Sequence, residues 1–518
     1  MRRRSPKSLA AHAAALAIAL LPGGLGCRSG CSPKSDVPKI GTGSGASATG
    51  AGGAVEVATV AASDAAPPVA FPLVHSPDRR YLQDQTGRPF AIKGRASWGV
   101  LLISAADARS YLDDTVANGY TAIEVSAIVR HSSSKTAPLA GNGAAPFLKR
   151  LDGTTWTGAI HYGNAGNEAP DLTTPNPAYW TFVDSFLTDC EARGLLVFLF
   201  PAYMGSDTTA GWRGELTANG PARVTVYGAF IAARYKNRKN LIWMAGGDAG
   251  TGAYPFTLAE VAAEQALLAG MASVSGQQSV DFSAEWASES IATGQPTFGG
   301  AMTVNGAYSF NGDVNTQARA AYSHTPTEPA FLLEEPYDEE GPDGNGVNPH
   351  ATQPVRRFQW WGWLSAIGGT ISGNGYVWPF NAAPSWKDHL DTAGARDLRQ
   401  LNGFMRSIAW WQLVPSGLGG MKTLVTAGGS SPADPRYVAA AATPSGALLV
   451  AYVPPAHTGP IAIDMTALRR RARARWFNPV TAASVAAGEF PNTGTQVFTP
   501  PGDNGSGFAD WVLVLEAP

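Results

Sequence analysis

Beyond residue 70 the chain repeats one pattern: a short apolar run stops abruptly, then apolar residues recur every three to four positions. The first kind of segment suits a strand buried on both faces, the second an amphipathic helix. Runs of the first kind begin at Ala91, Ala122, Leu196, Leu241, Val280, Ala301, Phe331 and Thr370. The helical segments between them have legible ends. Ser104 is an N-cap with Asp107 three residues on, and Gly119 is the stop. Tyr179, Phe182, Val183, Phe186, Leu187 and Cys190 share one face of a helix that Gly194 closes, which makes Cys190 a core residue. Tyr227, Phe230, Ile231 and Tyr235 line another. Eight strands alternating with helices predict an α/β fold, a (β/α)8 TIM barrel over residues 71–415. No glycine-rich phosphate turn follows the first run, which counts against an open dinucleotide-binding sheet.

After "WWQLVPSG" the helical spacing disappears. "ALLVAYVPP", "IAIDM", "RARARWFNPVT" and "DWVLVLEA" are short strands between turn residues, which predicts a small all-β sandwich over residues 416–518. Arg469, Arg471, Arg473 and Arg475 read as a solvated strand face there. At the other end, Arg2, Arg3, Arg4 and Lys7 precede an apolar stretch from Leu9 to Leu21, too short for a membrane span. This reads as an export signal over residues 1–26. It ends in "GLGC", which resembles a lipoprotein signal with Cys27 as the lipidated residue, although Gly24 stands where leucine is usual. Residues 27–70 are a Gly/Ala/Ser/Pro-rich tether. The expectation is an exported protein, surface-anchored through Cys27 or released, and monomeric. Cys31 and Cys190 are the remaining cysteines, so no structural disulfide or cysteine metal cluster is expected. With 44% hydrophobic and 15% charged residues and a net charge of -2, the chain is globular and has no basic patch for nucleic acid.

In such a barrel the chemistry sits where the strands end. The fourth strand, "NLIWMAGGD", ends on Asp248, and the seventh, "LLEEPYDEE", on Glu335. Two carboxyls facing each other across the barrel mouth are what glycoside hydrolysis needs. One protonates the leaving oxygen; the other attacks the anomeric carbon or activates water. Alternation lets only one of Glu334 and Glu335 face the mouth. Gly246 and Gly247 would let a sugar approach the backbone beside Asp248. Asp248 alone reads equally as a helix N-cap. Arg95, Trp98, Glu124, Tyr203, Glu285, Trp286, Tyr308, Tyr337 and Trp378 lie near other strand ends and are candidate sugar contacts. Trp98, Trp286 and Trp378 each read as a sugar platform or a core filler. No Gly-x-Ser-x-Gly elbow and no His-x-x-x-His pair on a helix suggests a serine or metal hydrolase, and no cofactor or metal is implied.

"RYLQDQTGRPFAIKGRASW", "YLDDTVANGYTAIEV", "AARYKNRKNLIWMAGGD", "LLEEPYDEE" and "WWQLVP" together resemble the apiosidase-like glycoside hydrolases, and the tail resembles the collagen-binding-type module that often follows them. The resemblance implies a retaining (β/α)8 glycosidase acting on a carbohydrate, with Asp248 as general acid/base and Glu335 as nucleophile. The family pattern Gly-Asp-Thr-x-Trp is "GRASW" here, with Arg95 for the aspartate, and "FSAEWASES" replaces a His-Pro element. Sugar specificity therefore does not carry over. Arg95 could bind a uronate or pair with Glu124 or Glu285. Two other readings remain open at this point. One is a non-catalytic glycan-binding or adhesin-like protein on the same barrel. The other, a protease or collagen-interacting protein, rests on the tail's label alone.

Overall fold

The computed structural model describes residues 68–129, 138–158, 166–206, 211–340, 352–380 and 385–518. The export signal, Cys27, Cys31 and nearly all of the tether lie outside the described residues. No described helix is long and apolar enough to cross a membrane.

Eight parallel strands form the barrel: β1 Ile92–Ala96, β2 Ala122–Ser126, β3 Leu196–Phe200, β4 Leu241–Gly246, β5 Phe282–Glu285, β6 Asn305–Tyr308, β7 Ala330–Glu334 and β8 Gly369–Ser372. The sheet runs β5-β4-β3-β2-β1-β8-β7-β6, with a two-residue antiparallel strand, Ser290–Ile291, at the edge beside β6. It closes where the Thr303 and Val304 N–H groups donate to the Phe282 carbonyl at 2.8 and 3.0 Å. Among the described residues seven α-helices surround it: α1 Ala105–Ala117, α2 Pro177–Ala192, α3 Arg213–Tyr235, α4 Leu258–Ala272, α5 Val314–Ser323, α6 Thr352–Ala366 and α7 Ala393–Arg406. Each expected strand is present. The sixth starts later than expected, because Gly299–Ala301 forms a 3-10 turn, and no α-helix joins β5 to β6. The expected caps are in place: Ser104 accepts from the Asp107 N–H, and Gly119 sits at φ 77°.

The barrel interior is filled by Phe198, Ile242, Met244, Phe331, Leu333 and Ile371. Leu73, Leu82 and Phe90, from a small antiparallel sheet ahead of β1, pack into the same cluster and plug the N-terminal end. The open mouth is therefore at the C-terminal ends of the strands.

Nine strands follow: β9 Val414–Pro415, β10 Val425–Ala427, β11 Ala439–Ala442, β12 Leu448–Val453, β13 Ile461–Asp464, β14 Ala472–Phe477, β15 Ser484–Phe490, β16 Thr495–Phe498 and β17 Trp511–Glu516. They make a six-stranded sheet, β9-β11-β12-β17-β14-β15, and a three-stranded one, β10-β13-β16. One face of the larger sheet shares an apolar core with the smaller sheet through residues such as Leu449, Leu513 and Ile463. Its other face packs on α5, α6 and α7. Tyr452, Phe477, Val512 and Val514 meet Trp360 and Phe404, and the Tyr452 and Trp360 rings stack at 5.9 Å. Arg356 of α6 is buried at that junction, with Nε and Nη2 each 2.8 Å from Asp510 of the sandwich and Nη1 paired with Asp397 of α7.

Candidate active site

β4 ends in an unusual backbone. Gly246, Gly247 and Asp248 have φ of 77°, 106° and 51°, all left-handed. Aspartate tolerates that region better than most residues, whereas the two glycines reach it without a steric penalty. The sequence suggests that these glycines open space for a sugar; they do not. A Cβ on Gly247 would lie 2.4 Å from the Tyr203 ring, and one on Gly246 2.4 Å from the Glu285 carbonyl and 2.8 Å from the Trp286 ring. The turn is bare so that two aromatic side chains can lie against it. It is held from β3 by the Met204 and Gly205 N–H groups, which donate to the Gly246 and Gly247 carbonyls at 2.9 Å. From α4, buried Glu264 accepts the Gly246 N–H at 3.1 Å.

Held in this way, Asp248 faces a cleft of about 340 Å³ at the barrel mouth. That volume is at the small end of the range for ligand pockets. Tyr203 from β3 and Tyr308 from β6 donate their hydroxyls to Asp248 Oδ2 and Oδ1 at 2.6 and 2.8 Å. Across the cleft stands Glu334, the last residue of β7. Tyr337 supports the charged form of Glu334, and the Trp98 Nε1–H in turn donates to the Tyr337 hydroxyl at 3.1 Å. Trp98 and Trp378 are half-buried and line the cleft.

Glu335, the expected partner of Asp248, is fully buried and turned away, toward the side chains of Ser372 and of Gln359 on α6. The cause is a bulge. Ala307 of β6 pairs with Leu332 of β7, but the next residue, Tyr308, pairs with Glu334. Leu333 is the extra residue. It points into the barrel, and Glu334 after it faces the cleft instead of the helices. Strict alternation therefore assigns the wrong one of the two glutamates to the mouth.

The remaining expected contacts divide. Tyr203, Tyr308, Tyr337, Trp98 and Trp378 line the cleft. Trp286 does not: it is fully buried, stacks on Phe298 at 5.6 Å and donates to the Ala292 carbonyl. Arg95 leaves the barrel axis. It pairs with Asp114 at 2.6 Å and lies over the Tyr120 ring at 4.5 Å, so it makes no pair with Glu124 or Glu285 and does not reach a uronate in the cleft. Glu124 and Glu285 lie beneath the cleft, each fully buried, and the Asp248 backbone N–H favours the charged form of Glu285. Cleft residues not anticipated from the sequence are Glu334, Ser126, Ser206, Tyr254, Ser288, Phe310 and Glu340. Most lie in loops after the strands, where spacing carries no signal. Tyr254 was the most legible of them, an aromatic in a glycine-rich loop just after Asp248.

Asp248, Glu285 and Glu334 each place a carboxyl oxygen within 4.8 Å of the others. Burial pushes all three above the usual carboxylate range, and mutual repulsion adds to the rise at Glu285 and Glu334. Glu124 is raised for the same reasons, burial first and then the charges of Asp248 and Glu335. At Asp248 the two tyrosine hydroxyls oppose the rise. Like charges this close repel one another, which disfavours ionising all of these carboxyls together. Three such oxygens could also ligate a hard cation, but the tyrosine hydroxyls compete for the Asp248 lone pairs.

Comparison with known proteins agrees with this architecture. Residues 76–412 match the family model described as the apiosidase-like catalytic domain, and residues 426–516 match the one described as "Putative collagen-binding domain of a collagenase". A search of curated proteins finds no match. Among solved structures, a glycoside hydrolase aligns with a TM-score of 0.67 at 18% identity, over 86% of this chain and 98% of its own. A family 5 glycoside hydrolase from Bacteroides vulgatus aligns with a TM-score of 0.65 at 17% identity, over 86% of this chain and 93% of its own. Those two likenesses are of fold. The family model spans well over half of the sequence, and the chain therefore belongs to the apiosidase-like family of glycoside hydrolases.

Proposed function

We propose that this protein is an exported enzyme that hydrolyses glycosidic bonds in oligosaccharide or polysaccharide side chains with retention of configuration, using Asp248 as general acid/base and Glu334, in place of Glu335, as nucleophile. The proximity of Asp248 and Glu334 oxygens, within 4.8 Å across the cleft, carries this reading. A retaining pair stands about 5–5.5 Å apart, whereas inversion needs about 6.5–9.5 Å to admit water. In the first step a Glu334 oxygen attacks the anomeric carbon while the Asp248 proton passes to the departing oxygen. In the second, Asp248 takes a proton from water, whose oxygen displaces Glu334. Between them the pair must hold one proton at rest, which is what two close carboxyls in a buried site do. Tyr203 and Tyr308 hold Asp248 in place through both steps.

The glycan-binding alternative drew on Arg95 and on the segment after the fifth strand. Arg95 and Trp286 lie outside the cleft wall, whereas Ser288 of the same fifth-strand segment lines it. Export and lipidation at Cys27 rest on residues 1–27 of the sequence, and the tether would let the barrel stand off a surface.

The test is a panel of 4-nitrophenyl glycosides and plant cell-wall polysaccharides, assayed with wild type, Glu334→Gln and Glu335→Gln. Hydrolysis by wild type, a loss of about a thousandfold or more in Glu334→Gln and substantial retention in Glu335→Gln are expected. The reverse ranking would return the nucleophile to Glu335. Proton NMR of the first-formed anomer checks retention.

A further inference from the structure

Tyr254 lines the cleft but keeps 43% of its surface exposed, unusual for a large ring on an otherwise well-packed wall. Its loop is not loose. The Gly250 N–H donates to the Tyr254 carbonyl at 2.8 Å, and the Tyr254 N–H to the Thr251 carbonyl at 3.0 Å. Gly250, at φ 99°, lies against the Phe256 and Trp286 rings so closely that a Cβ would be 2.8 and 3.1 Å from them. The loop is thus clamped onto half-buried Phe256 and the buried rings of Trp286 and Phe298. The result is a loop backbone that is fixed before any ligand arrives, so that only the Tyr254 side chain needs ordering on binding.

Its place in the barrel says which part of a ligand it would meet. Tyr254 follows Asp248 in the loop after β4. A general acid protonates the oxygen of the leaving group, so the leaving group lies on the acid's side of the cleft. The neighbouring loops, after β3 and after β5, bring Ser206 and Ser288 to the same cleft wall. A flat apolar ring with hydroxyls beside it matches a sugar, which has an apolar C–H face and a rim of hydroxyls.

Building on the proposed role of Asp248, we infer that Tyr254, with Ser206 and Ser288, forms the binding site for a sugar on the leaving-group side of the scissile bond. The substrate is then a glycan whose leaving group is itself carbohydrate, not a glycoside of a small alcohol.

The experiment compares two substrates of the sugar that the wild type releases: its glycosyl fluoride, whose leaving group is too small to reach Tyr254, and an oligosaccharide carrying the same terminal sugar. Tyr254→Ala is expected to lower kcat/KM on the oligosaccharide roughly tenfold more than on the fluoride, mainly through KM, and Tyr254→Trp to restore most of it. Equal losses on both substrates, or none on either, would overturn the inference while leaving the proposed function standing. If the wild type cleaved neither substrate, the proposed function would fall and this inference with it.

Discussion

The proposed chemistry turns on a few atoms around Asp248. Each of its oxygens accepts a tyrosine hydroxyl, at 2.6 and 2.8 Å, while burial works against its charge. The hydroxyls favour the ionised form, so removing one should raise the Asp248 pKa. A hydrogen bond to a charged group contributes about 1.5–3 kcal/mol, and one pKa unit is about 1.4 kcal/mol. In Tyr203→Phe the alkaline limb of the kcat/KM profile, which the proposed mechanism assigns to protonated Asp248, should therefore move up by about one to two units. A downward shift would mean that Tyr203 favours the neutral acid, and the role given to Asp248 would need revision. Gly247 belongs with this pair, because any side chain there meets the Tyr203 ring at 2.4 Å.

Two elements set the geometry, and each does so by departing from regularity. β7 carries a bulge that aims Glu334 into the cleft, and β4 ends in three left-handed residues that turn Asp248 toward it. α4 secures the second departure, because Glu264 accepts the Gly246 N–H. Burial raises the Glu264 carboxyl to about 7 from an ordinary 4.5. Its folded pKa lies above the unfolded one, so its contribution to stability is complete below about 4.5 and is lost as pH rises through about 7. Glutamine keeps an acceptor for Gly246 but cannot ionise. Denaturant unfolding of Glu264→Gln should therefore show a variant that gains on wild type between pH 5 and pH 8, by up to about 3 kcal/mol. An identical pH dependence in the two proteins would show that Glu264 titrates alike folded and unfolded.

At the scale of the molecule, barrel and sandwich share one core. The sandwich buries one face of its large sheet on α5, α6 and α7, and Arg356 joins α6 to Asp510 and to Asp397 of α7 in a site closed to water. Removing Asp510 leaves Arg356 with Asp397 as its one carboxylate partner and takes the acceptor from Tyr452 and Asn504; breaking a buried ion pair from one side costs about 3–5 kcal/mol. Asp510→Ala should lower stability by that amount in calorimetry, with barrel and sandwich still unfolding in one transition. Two separated transitions would mean that the shared core does not couple them. Residues 416–518 alone would expose Tyr452, Val512 and Val514 to water, so the isolated tail should aggregate and show no specific retention of collagen in a pull-down. Saturable collagen binding by the soluble tail would contradict this.

The sequence alone determined the architecture. Buried parallel strands and amphipathic helices have distinct apolar periods, and caps and turn glycines act over a few residues, so the eight strands, the barrel and the β module could all be read along the chain. Asp248 was legible for the same reason, because the apolar run stops on it. Tertiary structure decided what depends on neighbours distant in sequence. The β7 bulge arises from pairing with β6 and exchanges Glu335 for Glu334 at the mouth. Arg95 is drawn away by Asp114 and Tyr120, and Trp286 is claimed by Phe298. The glycines that looked like room for a sugar are filled by Tyr203 and Trp286. Local periodicity reports which face of a strand is apolar, but the register between strands, and the side chains that compete for a given space, are set only when the barrel closes.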